Sequence, residues 1–320
     1  MVGFTDKPLP LRTLWTDSPD ATQQLAARRA DGLMTEAESA DLAHFIEHGW
    51  VLWPNTIEHD LIDAFVRDIR ITHHHQGMFA RTNHRRGSGT LVLSDDQPDR
   101  FESLFDLYVN LPSSRAVCFH PRITRFLSRV FDGRVIAFQQ LLFQRSNGQR
   151  LHQDTSVVAV QDPLLLAASW IALEDVAEGS GKLAYYDRSH KLPHYLFKSG
   201  DKHKRPKEDD DARYIAELRK ACEHRGLEYR RFLARKGDVF MWAADLVHCS
   251  HPRRLPEDTS RLSCVTHYCP ASTSPYWFRH HPEKRGIEPH DMVSAFASNL
   301  YTLPTEGRML RPESERVKGN

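Results

Sequence analysis

The sequence has no Cys-x-x-Cys pair, and its five cysteines (Cys118, Cys222, Cys249, Cys264 and Cys269) are odd in number. That argues against a disulfide framework and a structural zinc knuckle, and it fits a reducing, cytoplasmic location. No apolar run approaches the length of a membrane span, and the start of the chain lacks the cationic-then-apolar order of a signal peptide. Excess charge of either sign is also missing. Lys and Arg number 43 against 42 Asp and Glu, a formal net charge of +1, so no global field draws nucleic acid or an anionic membrane. There is no G-x-S-x-G elbow to suggest a serine hydrolase and no glycine-rich phosphate loop. No internal repeat or low-complexity tract appears.

What remains is an ordinary globular composition, 40% hydrophobic and 27% charged over 320 residues, enough to bury a substantial core. The first thirty residues are polar and proline-bearing and read as an extended arm. From Thr35 the stretch TEAESADLAHFIEHG reads as a helix: Thr35 and Glu38 form a capping box, and Gly49 ends it. WVLWP reads as a strand and IEHDLIDAFVRDIRI as a second amphipathic helix. Residues 73–100 are turn-rich and basic, and the segment from Phe101 to Gly133 returns to helical periodicity. From residue 135 the pattern changes to short strands: VIAFQQLLFQ, TSVVAV, LLLAASWIAL, KLAYYD, FLARKGDVFMW and RLSCVTHYCP. Strands at such spacing predict a β-sandwich or barrel with helices packed against it.

Within the first of these strands' successors, RLHQDTSVV sets His152 and Asp154 two residues apart. In an extended chain both would face one side. A third ligand has to come from another strand, and His248, at the far end of GDVFMWAADLVH, is the candidate. Two histidines and one carboxylate on one face leave open positions on an ion, the arrangement used by non-haem Fe(II) oxygenases. Arg261 follows thirteen residues after His248, where an antiparallel return would bring it near, and its guanidinium offers a bidentate fork to a carboxylate. Ser250 faces the same side as His248. The triple histidine at His73 to His75 resembles a metal clip, but adjacent side chains cannot all face one ion, so it reads as solvated. His251 beside Pro252 reads as a surface or substrate-facing group.

Together these residues resemble the phytanoyl-CoA dioxygenase-like family of Fe(II)- and 2-oxoglutarate-dependent oxygenases. FIEHGWVLWPNTIEHDLIDAFVRDI is similar to that family's N-terminal helix-strand-helix, and LHQDTS to its HxD strand. WIALEDVAEGSGKLAYYDRSHK is similar to its W-x-A-L-x-D segment and the glycine-rich turn after it, although YDRSH stands in place of PGSH. GDVFMWAADLVHCSHP resembles the distal-histidine block, with His251-Pro252-Arg253 after the histidine where the family pattern has asparagine.

The resemblance implies a mainly β fold with flanking helices around a double-stranded β-helix, or jelly-roll, core. It implies a single domain over 1–320: an arm and helical support at 1–134, the core at 135–275 with an inserted lid at 194–226, and an extension at 276–320. It implies His152, Asp154 and His248 as iron ligands, Arg261 on the far carboxylate of 2-oxoglutarate, and Trp170, Ser250 and Gln140 lining the co-substrate. Fe(II), 2-oxoglutarate and O₂ are then required, with ascorbate as reductant. Asp154 occupies the position that related halogenases leave open, so hydroxylation (or desaturation) is expected rather than chlorination. The cations around Arg81 to Arg86 and Lys198 to Lys207 fit an anionic small-molecule substrate. The lid is expected to be an anchored helix carrying a charged loop with nothing to bury. Two other readings remain: a jelly-roll binding or regulatory protein without turnover, and a zinc hydrolase, since two histidines and a carboxylate also suit zinc.

Overall fold

The computed structural model describes residues 2–5, 9–73, 81–82, 91–92, 103–146, 148–205, 210–256 and 259–310. Its helices are α1 (Ala21–Ala30), α2 (Glu36–His48), α3 (His59–His73), α4 (Pro112–Cys118), α5 (Pro121–Phe131) and α6 (Asp211–His224). The strands are β1 (Gly3–Thr5), β2 (Trp50–Trp53), β3 (Arg81–Thr82), β4 (Leu91–Val92), β5 (Ser103–Phe105), β6 (Val135–Phe143), β7 (Ala167–Ala172) and β8 (Leu183–Tyr186). They continue with β9 (His194–Leu196), β10 (Tyr229–Phe232), β11 (Val239–Ala243), β12 (His248–Ser250), β13 (Ser263–Pro270), β14 (Glu288–Pro289) and β15 (Ser294–Phe296).

The major sheet runs β2-β11-β7-β13-β6-β5-β3-β4, with β15 parallel to β6. The minor sheet runs β10-β8-β12 and gains one more rung where His152 bridges His248. Alternation decides what lies between them. Ala168, Trp170 and Ala172 of β7 and Phe240 and Trp242 of β11 pack against Leu183 and Tyr185 of β8. The intervening residues Ala167, Ile171, Val239 and Met241 turn the other way, onto Leu42 and Phe45 of α2, Phe65 of α3 and Phe126 of α5. With both faces covered, β7 and β11 read as unbroken apolar runs rather than alternating ones. This is a jelly roll backed by helices.

Local chemistry explains the entrance. Thr35 and Glu38 cap α2 reciprocally, as their spacing predicts, and Gly49 closes it with φ 79°. A Cβ on Gly49 would lie 2.3 Å from Nδ1 of His190. Glycine is therefore required there twice over, for its left-handed backbone and for the approach of the YDRSH turn.

Three expectations need correction. The first thirty residues are not an extended arm, since they include α1 and a strand pairing β1 with β9. TSVVAV is not a strand. Asp154–Ser156 forms a 3-10 turn, with the Ser156 hydroxyl donating to the Gln153 carbonyl at 2.7 Å, because short polar side chains offer the backbone local partners that compete with a ladder. In the segment expected to be helical, Ser103–Phe105 instead joins the sheet between β6 and β3.

The inserted segment also differs from its composition. Its helix packs as expected, with Tyr214, Leu218 and Cys222 buried. The charged loop before it, however, buries Lys202 to 3% exposure, while residues 206–209 lie outside the described ones. So do the side chains of His73 to His75 and most of the basic stretch Arg81 to Arg86. All five cysteines are free and buried, and no described helix is long and apolar enough to cross a membrane.

Replacing Gly49 with Ala should lower unfolding free energy by about 1 kcal/mol from backbone strain alone, and by more if His190 cannot move. Urea unfolding of the two proteins measures this, and an unchanged midpoint would mean that the turn relaxes freely.

Candidate metal centre

Two backbone hydrogen bonds pair the ligand segments: His152 N–H donates to the His248 carbonyl at 3.0 Å, and His248 N–H to the His152 carbonyl at 2.9 Å. The two rings consequently sit with centroids 4.2 Å apart. Each ring is then oriented by its own strand. His152 Nδ1 lies 2.8 Å from the Arg150 carbonyl and His248 Nδ1 lies 2.9 Å from the Leu246 carbonyl. A carbonyl can only accept, so each Nδ1 carries the proton and each Nε2 presents a lone pair.

Asp154 meets both. Its Oδ1 is 3.6 Å from His152 Nε2 and 3.5 Å from His248 Nε2, while its Oδ2 accepts from Trp242 Nε1–H at 2.7 Å. One donor atom from each of the three residues lies within 4.8 Å of the others. Neighbouring ligands at about 2.1 Å from one ion are about 3 Å apart, so the donors need close in only slightly. Their charge states suit a divalent cation. Burial and the adjacent His152 push the His248 imidazolium down to about 4, leaving it neutral. The Asp154 carboxyl, despite a burial that would raise it, is held well below the usual carboxylate range.

The triad lines a cavity of about 210 Å³ that also receives Trp170, Ser250 and Arg261. Arg261 is 3% exposed, and its guanidinium lies 5.7 Å from the Trp170 ring centroid. Its Nε has no hydrogen-bond partner, and no ion pair to it forms among the described residues. Burial, together with the neighbouring Arg253, lowers it to about 10, so it stays a cation at neutral pH.

A family model described as phytanoyl-CoA dioxygenase (PhyH) matches residues 46–256, more than half of the chain. The chain belongs to the phytanoyl-CoA dioxygenase family. No curated protein sequence matches it, but its fold is shared with solved structures. One is a non-haem α-ketoglutarate-dependent epimerase from nogalamycin biosynthesis, SnoN. It has TM-score 0.54 and 20% identity, over 75% of this chain and 85% of that one. A carbocyclase from the same biosynthesis, SnoK, gives TM-score 0.52 and 18% identity, over 77% and 87%. EctD from S. alaskensis, solved with bound Fe, gives TM-score 0.53 and 16% identity, over 85% and 84%.

One expected residue is not in this phytanoyl-CoA dioxygenase family cavity. Gln140 is fully buried on the other face of β6, where its Oε1 accepts from Ser114 Oγ at 2.8 Å and Tyr108 N–H at 3.2 Å. Gln139, Leu141 and Phe143 line the cavity instead. One residue of register changes the face, and β6 pairs Gln139 with His267 of β13. His267 and Trp242 were both missed from sequence. His267 Nε2 lies 3.6 Å from Asp154 Oδ2. Alternation along β13 from Arg261 through Val265 would have found it.

Trp242→Phe keeps an aromatic side chain, though a smaller one, and removes the bond to Asp154. It should weaken divalent-metal affinity by about tenfold to a hundredfold, the usual effect of losing a ligand's supporting partner, with little change in folding. Calorimetric titration with Mn(II) reads this, and equal affinities would leave Trp242 a packing residue only.

Proposed function

We propose that this protein is an Fe(II)- and 2-oxoglutarate-dependent dioxygenase that hydroxylates a C–H bond of a small organic substrate. The observation that carries the reading is Arg261: a buried cation that forms no ion pair among the described residues, in the same cavity as a two-histidine, one-carboxylate donor set. A desolvated guanidinium calls for a carboxylate, and a dicarboxylic 2-oxo acid reaches both Arg261 and the metal. Neither rival reading, a silent binding module or a zinc hydrolase, gives Arg261 a task.

His152, Asp154 and His248 would hold the iron. Iron bound there supplies O₂ activation, with the balance 2-oxoglutarate + O₂ + R–H giving succinate + CO₂ + R–OH. The protein's contribution is placement. Arg261 takes the far carboxylate of the co-substrate, Trp170 lies beside the guanidinium, and Ser250 adds a hydroxyl to the same wall. Leu183, Val265 and Leu141 keep that wall apolar, which excludes water and strengthens the charge pairing. Ascorbate serves as reductant when turnover uncouples.

The substrate enters through a second cavity of about 440 Å³ that shares Gln139, Val157 and Val158 with the first. Its walls include Phe105, Phe138, Tyr276 and Trp277, and its described lining has no lysine or arginine. Among the described cations expected to recognise an anion, Lys202 is engaged with Asp245 and Lys204 with Asp211. This favours a largely uncharged molecule with flat apolar faces over an anionic one.

Fe(II), ascorbate and 2-oxoglutarate should give succinate from the wild type even without substrate. Absence of succinate under those conditions would sink the assignment. Asp154→Ala should abolish it while leaving a folded protein. Arg261→Lys should raise KM for 2-oxoglutarate by about ten- to a hundredfold, since bonds to charged groups contribute about 1.5–3 kcal/mol, with iron affinity unchanged. An unaltered KM would move the role to Arg253 or Arg279.

A further inference from the structure

Asp245 lies on the turn between β11 and β12, shortly before His248, and grips both sequence neighbours of Asp154. Its backbone carbonyl accepts from Gln153 Nε2 at 2.8 Å, and its Oδ1 accepts from the Thr155 hydroxyl at 2.6 Å. Its Oδ2 meets Lys202 Nζ at 2.7 Å, with the lysine side chain only 1% exposed. Lys202 comes from the inserted segment, roughly midway in sequence between Asp154 and His248. The same insertion reaches the Asp154 turn twice more. Lys204 N–H donates to the Ser156 carbonyl at 2.9 Å, and the Tyr214 hydroxyl accepts from Gln153 N–H at 3.2 Å.

A lysine is seldom buried this deeply unless a carboxylate meets it. Lys202 lines neither cavity, so neither substrate nor co-substrate explains it. Burial alone would push the Asp245 carboxyl up, yet Lys202, His194 and Thr155 bring it down to about 2, so the pair is charged.

We infer that Lys202 is a positioning residue for the metal centre: through Asp245 it fixes the Asp154 turn against the His248 turn. The insertion thereby sets the spacing of the ligands. This rests on the reading of His152, Asp154 and His248 as a metal site. Without its cation, Asp245 is a buried carboxylate short of a partner. Its side chain would turn toward water and release the Thr155 hydroxyl, next to the ligand.

The test uses the full chain and Co(II), following visible ligand-field absorption during titration alongside thermal unfolding. Lys202→Met should bind Co(II) at least about tenfold more weakly, in line with losses of supporting partners, and with a shifted absorption spectrum. Lys202→Arg, which keeps the charge, should restore most of both. Where Lys202→Met alone fails to fold, the double variant Lys202→Met/Asp245→Asn removes both charges and should fold with the same weakened, shifted Co(II) site. Thr155→Val leaves the ion pair in place and should show a smaller loss in the same direction, and it decides the matter if both others fail to fold. A lysine with a merely structural role would lower the melting temperature and leave the affinity and spectrum of the folded protein unchanged. That result overturns the inference. Failure of the wild type to bind Co(II) would instead overturn the metal site itself.

Discussion

The pair of backbone hydrogen bonds between His152 and His248 is the constraint from which the site follows. These residues are remote in sequence, and the bridge puts them directly opposite each other at the open end of the minor sheet. Once paired, each ring bonds the carbonyl two residues before it, so both Nε2 atoms have a single direction left. Asp154 then enters as the first residue of a tight turn instead of as a strand residue. One of its oxygens faces the two Nε2 atoms and the other accepts from Trp242.

That geometry stands because the sheets around it are packed on both faces. The aromatic set Trp50, Tyr185, Phe240 and Trp242 fills the space behind the cavity, with Trp50 and Phe240 stacked at 5.7 Å. Interiors of this kind do not deform continuously, so side chains mounted on them are held close to one arrangement. Trp242 links the two roles: its ring belongs to the core and its Nε1–H orients a ligand.

Much of this was legible in the residues. His152, Asp154, His248, Arg261, Trp170 and Ser250 line one cavity, as their spacing and order along the chain suggest. The capping box at Thr35 and the left-handed Gly49 are equally local. The failures are failures of context. Gln140 and Gln139 are the same residue type side by side, and only the pairing of β6 with β13 says which one faces inward. TSVVAV carries strand-like side chains, but Asp154 and Ser156 turn the backbone first. Lys202 looked solvated because its partner, Asp245, belongs to a different turn that only the folded chain brings near. Charge pairs between distant segments leave no periodicity to read.

The pairing of β1 with β9 reaches further than its three residues suggest. β9 begins the insertion that carries Lys202, and in the described structure its only ladder partner is the strand Gly3–Thr5. Phe4 closes the contact edge-to-face on Tyr195, at 5.2 Å between ring centroids. Displacing Gly3–Thr5 would uncover a bare strand edge, which is a template for association between copies. This short strand therefore acts as a protective cover for the insertion.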